Sequence, residues 1–181
     1  MLKTIIIAFY FVLPAYFANM APVFLAKLGW LKFLNRPIDS GLELAGQELF
    51  GRHKTWRGLL AGIIFGIAVA GCQKLLFSLP YFAGISLWDY SRWLEFGLLA
   101  GLGSLIGDLI KSFFKRRVGI KSGGVWPVFD QLDFIAGFFL FTSLIYFPGW
   151  SIIATVAIMT LLLHPLTNVI GYLLGLKKVW W

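Results

Sequence analysis

Long apolar runs separated by short polar segments extend over nearly the whole chain. A helix needs about 20 mostly apolar residues to cross the hydrocarbon core of a bilayer. Five runs come close to or exceed this length, and we predict spans over 4–25, 59–79, 93–114, 129–147 and 150–174. The pattern therefore predicts an all-α fold, a polytopic membrane helix bundle with five transmembrane helices. One integral membrane domain over 1–181 accommodates all of them.

The cationic residues between these runs alternate from one predicted side of the membrane to the other. Segments 26–58 and 115–128 carry six and four Lys or Arg residues, whereas 80–92 carries one. Cytoplasmic loops of membrane proteins are enriched in Lys and Arg. We therefore expect 26–58, 115–128 and the C-terminus, with Lys177 and Lys178, in the cytoplasm. The N-terminus is then outside, and the predicted location is the cell (cytoplasmic) membrane.

The composition supports the membrane class and excludes several others. The chain is 59% hydrophobic and 13% charged, whereas soluble domains are about 45–50% apolar and about 25% charged. The net charge of +8 favours attraction to an anionic membrane surface. No aqueous basic domain is present, so we expect no nucleic-acid partner. The lone cysteine, Cys72, excludes an intramolecular disulfide framework.

Three of the eight acidic residues lie close to the third and fourth predicted spans. Asp108 lies before the cytoplasmic end of the third span, and Asp130 and Asp133 begin the fourth, so all three can meet at one membrane depth. A charge at that depth is costly and points to function. The pair at 130 and 133 would also suit the positive end of a helix dipole, which is a purely structural explanation.

Carboxylates surrounded by cations indicate a divalent metal and a phosphate substrate. Mg²⁺ is typically bound by one or two carboxylates together with substrate phosphates. Paired metal ions can hold the attacking and leaving oxygens of a displacement at phosphorus. The residues therefore predict phosphoryl or nucleotidyl transfer at the cytoplasmic face. Segment 51–58, with Lys54 and Arg57, is either an interfacial anchor or a phosphate-binding segment, and spacing alone favours neither.

Glycines recur at four-residue spacing in the second and third predicted spans. Small residues at this spacing let helices approach closely in lipid. The faces that they form could pack within one chain or between two copies, so a homodimer is one alternative.

Two sequence blocks resemble CTP-dependent phosphatidate cytidylyltransferases and, more closely, the CDP-archaeol synthase family. The first block comprises Ser112-Phe-Phe-Lys115-Arg116-Arg117, then Lys121, Pro127 and Asp130-Gln-Leu-Asp133. The second is His53-Lys54-Thr55-Trp56-Arg57-Gly58, accompanied by Asn19, Pro22, Pro37, Asp39 and Gly41. The resemblance covers nearly the whole chain. Gln131 favours the archaeol-type branch, because the phosphatidate enzymes usually have arginine there.

The resemblance implies that a lipid phosphate attacks the α-phosphate of CTP, giving a CDP-activated lipid and pyrophosphate with Mg²⁺ as cofactor. By position, Asp108, Asp130 and Asp133 would hold the metal and, with Lys121, form the catalytic set. The implied substrate-binding set is Asn19, Lys54, Arg57, Lys111, Ser112, Lys115 and Arg116. The branch implies an isoprenoid ether lipid of the 2,3-digeranylgeranylglyceryl phosphate type. Phosphatidate, giving CDP-diacylglycerol, is the alternative.

Sequence features also bear on three alternative protein classes. A CDP-alcohol phosphotransferase requires a different spacing of aspartates, which the chain lacks. A small membrane cation transporter would be supported by inverted repeats, but the spans show no duplication. A structural membrane subunit would tolerate loss of the acids. Dependence on CTP would distinguish the enzyme from the transporter.

Overall fold

The computed structural model describes residues 1–175, which fold into a helical bundle with one small hairpin. Its helices are α1 Leu2–Leu28, α2 Trp56–Leu76, α3 Pro80–Ile85, α4 Trp93–Arg117, α5 Phe129–Thr142 and α6 Trp150–Leu173. The antiparallel strands are β1 Glu43–Leu44 and β2 Gln47–Glu48, and a 3₁₀ turn covers Lys32–Leu34. The predicted all-helical bundle is confirmed, and the hairpin is its one departure among the described residues. The cations at 177 and 178 lie outside them.

Among the described residues, four helices are long and apolar enough to cross a membrane, namely α1, α2, α4 and α6. Helix α5 has 14 residues, or about 21 Å at 1.5 Å per residue, which is short of a hydrocarbon core of about 30 Å. Helix α5 ends before the predicted end of this span at 147, and the fifth crossing stays a prediction. In the turn that follows Thr142, Tyr146 packs against the core and donates a 2.8 Å hydrogen bond to the Leu87 carbonyl.

The second predicted span also ends earlier than expected. Helix α2 finishes at Leu76. A separate short helix, α3, begins at Pro80, in the segment 80–92 between the second and third predicted spans. Proline is favoured in the first turn of a helix, because the amide hydrogen that it lacks has no helical partner there. Tyr90, which lies between α3 and α4, is fully buried.

Glycines bring the helices of this bundle into backbone contact, as the four-residue spacing predicts. A Cβ on Gly66 would lie 2.7 Å from the Gly97 carbonyl oxygen and 2.9 Å from the Gly101 Cα. On the other side of α4, a Cβ on Gly107 would overlap the Asp133 carbonyl oxygen. These faces pack within one chain, so they give no support to a homodimer. They also draw α5 against α4, which matters for the acidic residues.

The segment between α1 and α2 is folded at the same end of the bundle as the end of α4. Asp39 accepts hydrogen bonds from the Gly41 and Phe50 amides, both at 3.0 Å, and so closes the loop that contains the hairpin. Ala45 and Gly46 have positive φ angles, as a two-residue type I′ hairpin turn requires. These contacts fix the position of the hairpin beside the helix ends.

Candidate active site

The three predicted acids converge on one ammonium group, that of Lys111. Its Nζ lies 3.3 Å from Asp108 Oδ1, 2.7 Å from Asp130 Oδ1 and 2.9 Å from Asp133 Oδ2. Asp108 and Lys111 are one turn apart on α4, and the other two acids are one turn apart on α5, so each pair shares a helix face. The sequence-based expectation that the acids meet is therefore confirmed.

Two further lysines neutralise the same carboxylates. Lys54, from the segment before α2, is ion-paired with Asp108, and Lys115 Nζ lies 2.7 and 2.8 Å from the two oxygens of Asp130. Asp130 also accepts a 2.6 Å hydrogen bond from the Trp126 amide. The side chain of Asp133 is only 4% exposed. Buried charges of this kind are tolerated only when they are paired and hydrogen-bonded.

The donor set fits a divalent cation that prefers oxygen ligands. Three carboxylates already surround one positive charge, and Mg²⁺ is typically held by one or two carboxylates with phosphates and waters. Within residues 1–175, however, no group of three His, Cys, Asp or Glu side chains is arranged to hold an ion unaided. The Lys111 ammonium lies between the acids. A metal ion shared by all three would therefore have to take its position.

An apolar groove adjoins this cluster, and a polar cavity lies at the same end of the bundle. An apolar groove of about 460 Å³ runs between α4 and α5. Lys111 and Asp133 line it, and its remaining walls are Gly107, Ile110, Phe114, Trp126, Val128, Phe129, Leu132, Ala136, Gly137 and Leu140. A polar cavity of about 480 Å³ lies between the hairpin and the segment after α4, lined by Gln47, Glu48, Arg116, Gly119, Ile120, Lys121 and Ser122. The charged cluster is thus accompanied by one apolar and one polar recess.

Several predicted site residues are not part of the ion-paired cluster. Lys121 is exposed and lines the polar cavity, and none of the ion pairs among the described residues involves it. Arg57 is buried and donates to the Trp30 carbonyl at 3.5 Å. Ser112 is buried within α4. Asn19 lines a cavity of about 80 Å³ between α1 and α6, and that lining contains none of the three acids.

Sequence reasoning missed Glu48, which lines the polar cavity from the hairpin, and it gave Arg117 no role of its own. Arg117 donates to the carbonyls of Leu44, Gln47 and Glu48 at 2.6, 3.2 and 2.7 Å. Its guanidinium also lies 5.2 Å from the centre of the Phe113 ring. Arg117 belongs to a run of three cations, and nothing in the local pattern distinguishes it from the other two. Only contacts with a segment about 70 positions away reveal its role.

The fold and the charged cluster define a multi-pass membrane enzyme with its candidate site at one end of a helix bundle. Comparisons with known proteins support this class. A solved structure described as "Structural insight into an intramembrane enzyme for archaeal membrane lipids biosynthesis" matches with a TM-score of 0.73 and 33% identity. The match covers 89% of this chain and 92% of the solved one.

Sequence comparisons define the family. The family model for CarS-like CDP-archaeol synthase matches residues 1–181. The CDP-archaeol synthase of Methanopyrus kandleri is 40% identical over 176 residues, covering 95% of this chain and 91% of the relative. That of Methanosarcina barkeri is 42% identical over 183 residues, covering 93% and 99%. The chain belongs to the CDP-archaeol synthase family, and it is therefore an enzyme of the nucleotidyltransferase class.

Proposed function

We propose that the enzyme transfers the cytidylyl group of CTP to an isoprenoid ether glycerophosphate of the 2,3-digeranylgeranylglyceryl phosphate type, with Mg²⁺. The products are CDP-archaeol and pyrophosphate. The observation that carries the proposal is the position of the acid–lysine cluster: Lys111 and Asp133 line an apolar groove, and Lys115 is followed directly by Arg116 of the polar cavity. Such a site can bring together one substrate dissolved in the membrane and one dissolved in water.

The apolar groove suits the lipid substrate. Its walls include Ile110, Phe114 and Leu140, which are about half or more exposed at the surface of the bundle. In a bilayer such side chains face hydrocarbon, so an isoprenoid chain can enter from the side. Lys111 and Asp133 also line this groove. A lipid lying in it would therefore bring its phosphate to the ammonium group that the three carboxylates surround.

The chemistry requires little beyond orientation and charge neutralisation. An oxygen of the lipid phosphate attacks the α-phosphorus of CTP, and the bond from that phosphorus to the oxygen bridging to the β-phosphate breaks, releasing pyrophosphate. A phosphate monoester has a second pKa of about 6, so it is mostly deprotonated at neutral pH. No general base is then needed. Lys54, Lys111 and Lys115 are the cations of the cluster that can bind the phosphate oxygens.

Mg²⁺ would be held by Asp108, Asp130 and Asp133 and would supply a Lewis acid for the phosphoryl oxygens. Each of the three carboxylates already engages at least one cation. Because these partners are side chains that can rotate, the triphosphate can draw the ammonium groups onto itself. The carboxylates are then released for the metal.

The proposed topology has five crossings of the cell membrane, with the N-terminus outside and segments 26–58 and 115–128 in the cytoplasm. Contacts between the two cationic segments support a common side. A Cβ on Gly51 would lie 3.0 Å from Ser122 Oγ, and Arg117 donates to the carbonyls of the hairpin. Both segments therefore belong to one end of the bundle, where the polar cavity lies.

The direct test follows pyrophosphate release by the purified protein in detergent or lipid with Mg²⁺. CTP is offered with geranylgeranyl ether, saturated archaeol-type ether or diacyl phosphatidate as the lipid phosphate. We expect release that requires CTP, lipid and metal, and that is fastest with the geranylgeranyl ether. Faster turnover of phosphatidate would instead support the CDP-diacylglycerol alternative. No release with any lipid, from folded protein, would favour a cation transporter or a structural subunit.

A matched pair of variants ties this activity to the cluster. Asp133→Asn removes one proposed ligand, whereas Asp89→Asn makes the same change at an exposed residue of the segment before α4. We expect the first variant to lose turnover and the second to retain it. Similar activity of both variants would contradict the assignment of the site.

A further inference from the structure

The polar cavity contains a buried cation whose donors are not satisfied by the protein. Arg116 is only 6% exposed, and its Nε and Nη1 have no hydrogen-bond partner among the described residues. An unsatisfied buried donor costs about 1–3 kcal/mol, and natural proteins contain few of them. Because Arg116 lines the polar cavity, an acceptor on a bound ligand would satisfy it.

A carboxylate lines the same cavity. Glu48 is on strand β2, and its side chain is 27% exposed. Oε1 accepts a 2.9 Å hydrogen bond from Arg52, whose own side chain is 84% exposed. An ion pair of this kind is screened by solvent and contributes little. The cavity therefore offers an acceptor from Glu48 and donors from Arg116.

The position of Glu48 is fixed by the end of α4. Arg117 Nη2 donates to the Glu48 carbonyl at 2.7 Å, and Nη1 donates to the Leu44 carbonyl at 2.6 Å. One guanidinium group is therefore hydrogen-bonded to both strands of the hairpin. A rigid framework lowers the entropy lost when a ligand binds and sharpens its discrimination. Glu48 is thus held in place by Arg117, which directly follows Arg116 at the end of α4.

One part of the proposed nucleotide matches this donor and acceptor pair. Cytosine presents an amino group at N4 beside acceptors at N3 and O2, whereas uracil has an acceptor at position 4 and a donor at N3. Carboxylates accept from the cytosine N4 amino group, and guanidinium groups donate to base acceptors. A uracil ring in the same orientation would oppose its O4 to the carboxylate, which is unfavourable.

We propose that the polar cavity recognises the base of the nucleotide, with Glu48 accepting from the cytosine N4 amino group and Arg116 donating to the ring acceptors. The inference rests on the proposed function. It assigns to the base one residue, Arg116, that the family resemblance placed in the substrate-binding set. Arg116 directly follows Lys115, which is hydrogen-bonded to Asp130, and the proposal has a single nucleotide extending from the cavity to the reacting cluster.

The test compares CTP with UTP in two measurements. Binding of each nucleotide to lipid-free protein gives a ratio of dissociation constants, and pyrophosphate release gives a ratio of kcat/KM. We expect the wild-type enzyme to prefer CTP in both. In Glu48→Gln the amide can donate to uracil O4 as well as accept from cytosine. The preference for CTP over UTP should therefore fall by about 10- to 100-fold in both binding and kcat/KM.

The hairpin supplies the matched control. Glu43 is opposite Glu48 in the strand pairing and is exposed, so Glu43→Gln removes the same charge from the same hairpin. This control should retain the wild-type ratios. Arg52→Gln, which removes the exposed ion-pair partner, should retain them too. Arg116→Lys keeps the charge but loses the planar fork, and it should weaken CTP binding more than UTP binding.

The outcomes separate this inference from the proposed function. Wild-type ratios in both Glu48→Gln and Arg116→Lys would overturn base recognition while leaving the cytidylyltransferase reaction intact. A wild-type protein that binds CTP and UTP equally would overturn it as well. If the wild type releases no pyrophosphate with any lipid, the proposed function fails, and the binding ratios of the lipid-free protein still decide the inference. If Glu48→Gln does not fold, the Arg116→Lys ratios decide it.

Discussion

Replacement of Gly107 by alanine tests whether helix contact sets the geometry of the site. A Cβ at this position would overlap the Asp133 carbonyl oxygen, and it would lie 3.0 Å from the Asp133 carbonyl carbon and 3.1 Å from the Gly137 amide nitrogen. All three are backbone atoms, so no side-chain rotation can relieve the overlap. Because non-bonded carbon atoms prefer separations of about 3.5–4.0 Å, α4 and α5 must move apart by up to about 1 Å.

The magnitude follows from two opposing effects. Overpacking of this kind costs about 1–3 kcal/mol, and the higher helix propensity of alanine returns up to about 1 kcal/mol. We therefore expect a net destabilisation of about 1–2 kcal/mol. The effect on turnover is larger, because a displacement of about 1 Å at a reacting group can reduce the rate by about 100-fold. Asp108 and Asp133 lie directly beside the altered contact.

The assay measures the thermal unfolding midpoint in detergent and the turnover per folded molecule. Gly84→Ala is the control, because Gly84 is helical and a Cβ there would meet no atom within 4 Å. We expect the control to match the wild type in both measurements. Full turnover of Gly107→Ala would refute the link between the glycine contact and the site, even if its unfolding midpoint fell.

Three further perturbations address the cluster and its surrounding loops. Asp130→Asn and Asp133→Asn should both abolish turnover. Asp130→Asn should lower the unfolding midpoint more, because Asp130 pairs with two ammonium groups and Asp133 with one. Equal unfolding midpoints of the two variants would contradict this reasoning. Asp39→Asn should weaken the closed loop by about 1–3 kcal/mol and increase proteolysis within 41–50, and an unchanged cleavage pattern would count against this. Lys121→Ala should weaken nucleotide binding with little change in stability, since Lys121 is exposed; unchanged affinity would exclude it from the site.

The central position of Lys111 shows where sequence reasoning stops. The one-turn spacing places Lys111 on the same face of α4 as Asp108. The spacing does not predict that its ammonium lies among carboxylates of two helices. That outcome depends on how closely α5 approaches α4, which the contact between Gly107 and the Asp133 backbone decides.

The observed helix boundaries differ from the predicted span boundaries for a similar reason. The apolar run from Phe129 to Phe147 contains no residue that would end a helix before position 147. The helix nevertheless ends at Thr142. In the turn that follows, the ring centres of Tyr146 and Trp88 lie 5.7 Å apart, and the Tyr146 hydroxyl donates to the Leu87 carbonyl. A tertiary contact therefore outweighs the local preference for continuing the helix.

The sequence by itself determined the membrane class, the helical architecture, the convergence of three acids and the family, because these depend on apolar run length, local spacing and short motifs. Only the tertiary structure decided that Lys111 lies among the acids, that the acids adjoin an apolar groove and that Glu48 and Arg116 share a polar cavity. Arg117 donates hydrogen bonds to carbonyls of a hairpin whose residues lie 69 to 73 positions earlier in the chain. Periodicity encodes neighbours along one helix, whereas cavities form between segments that are brought together only by packing.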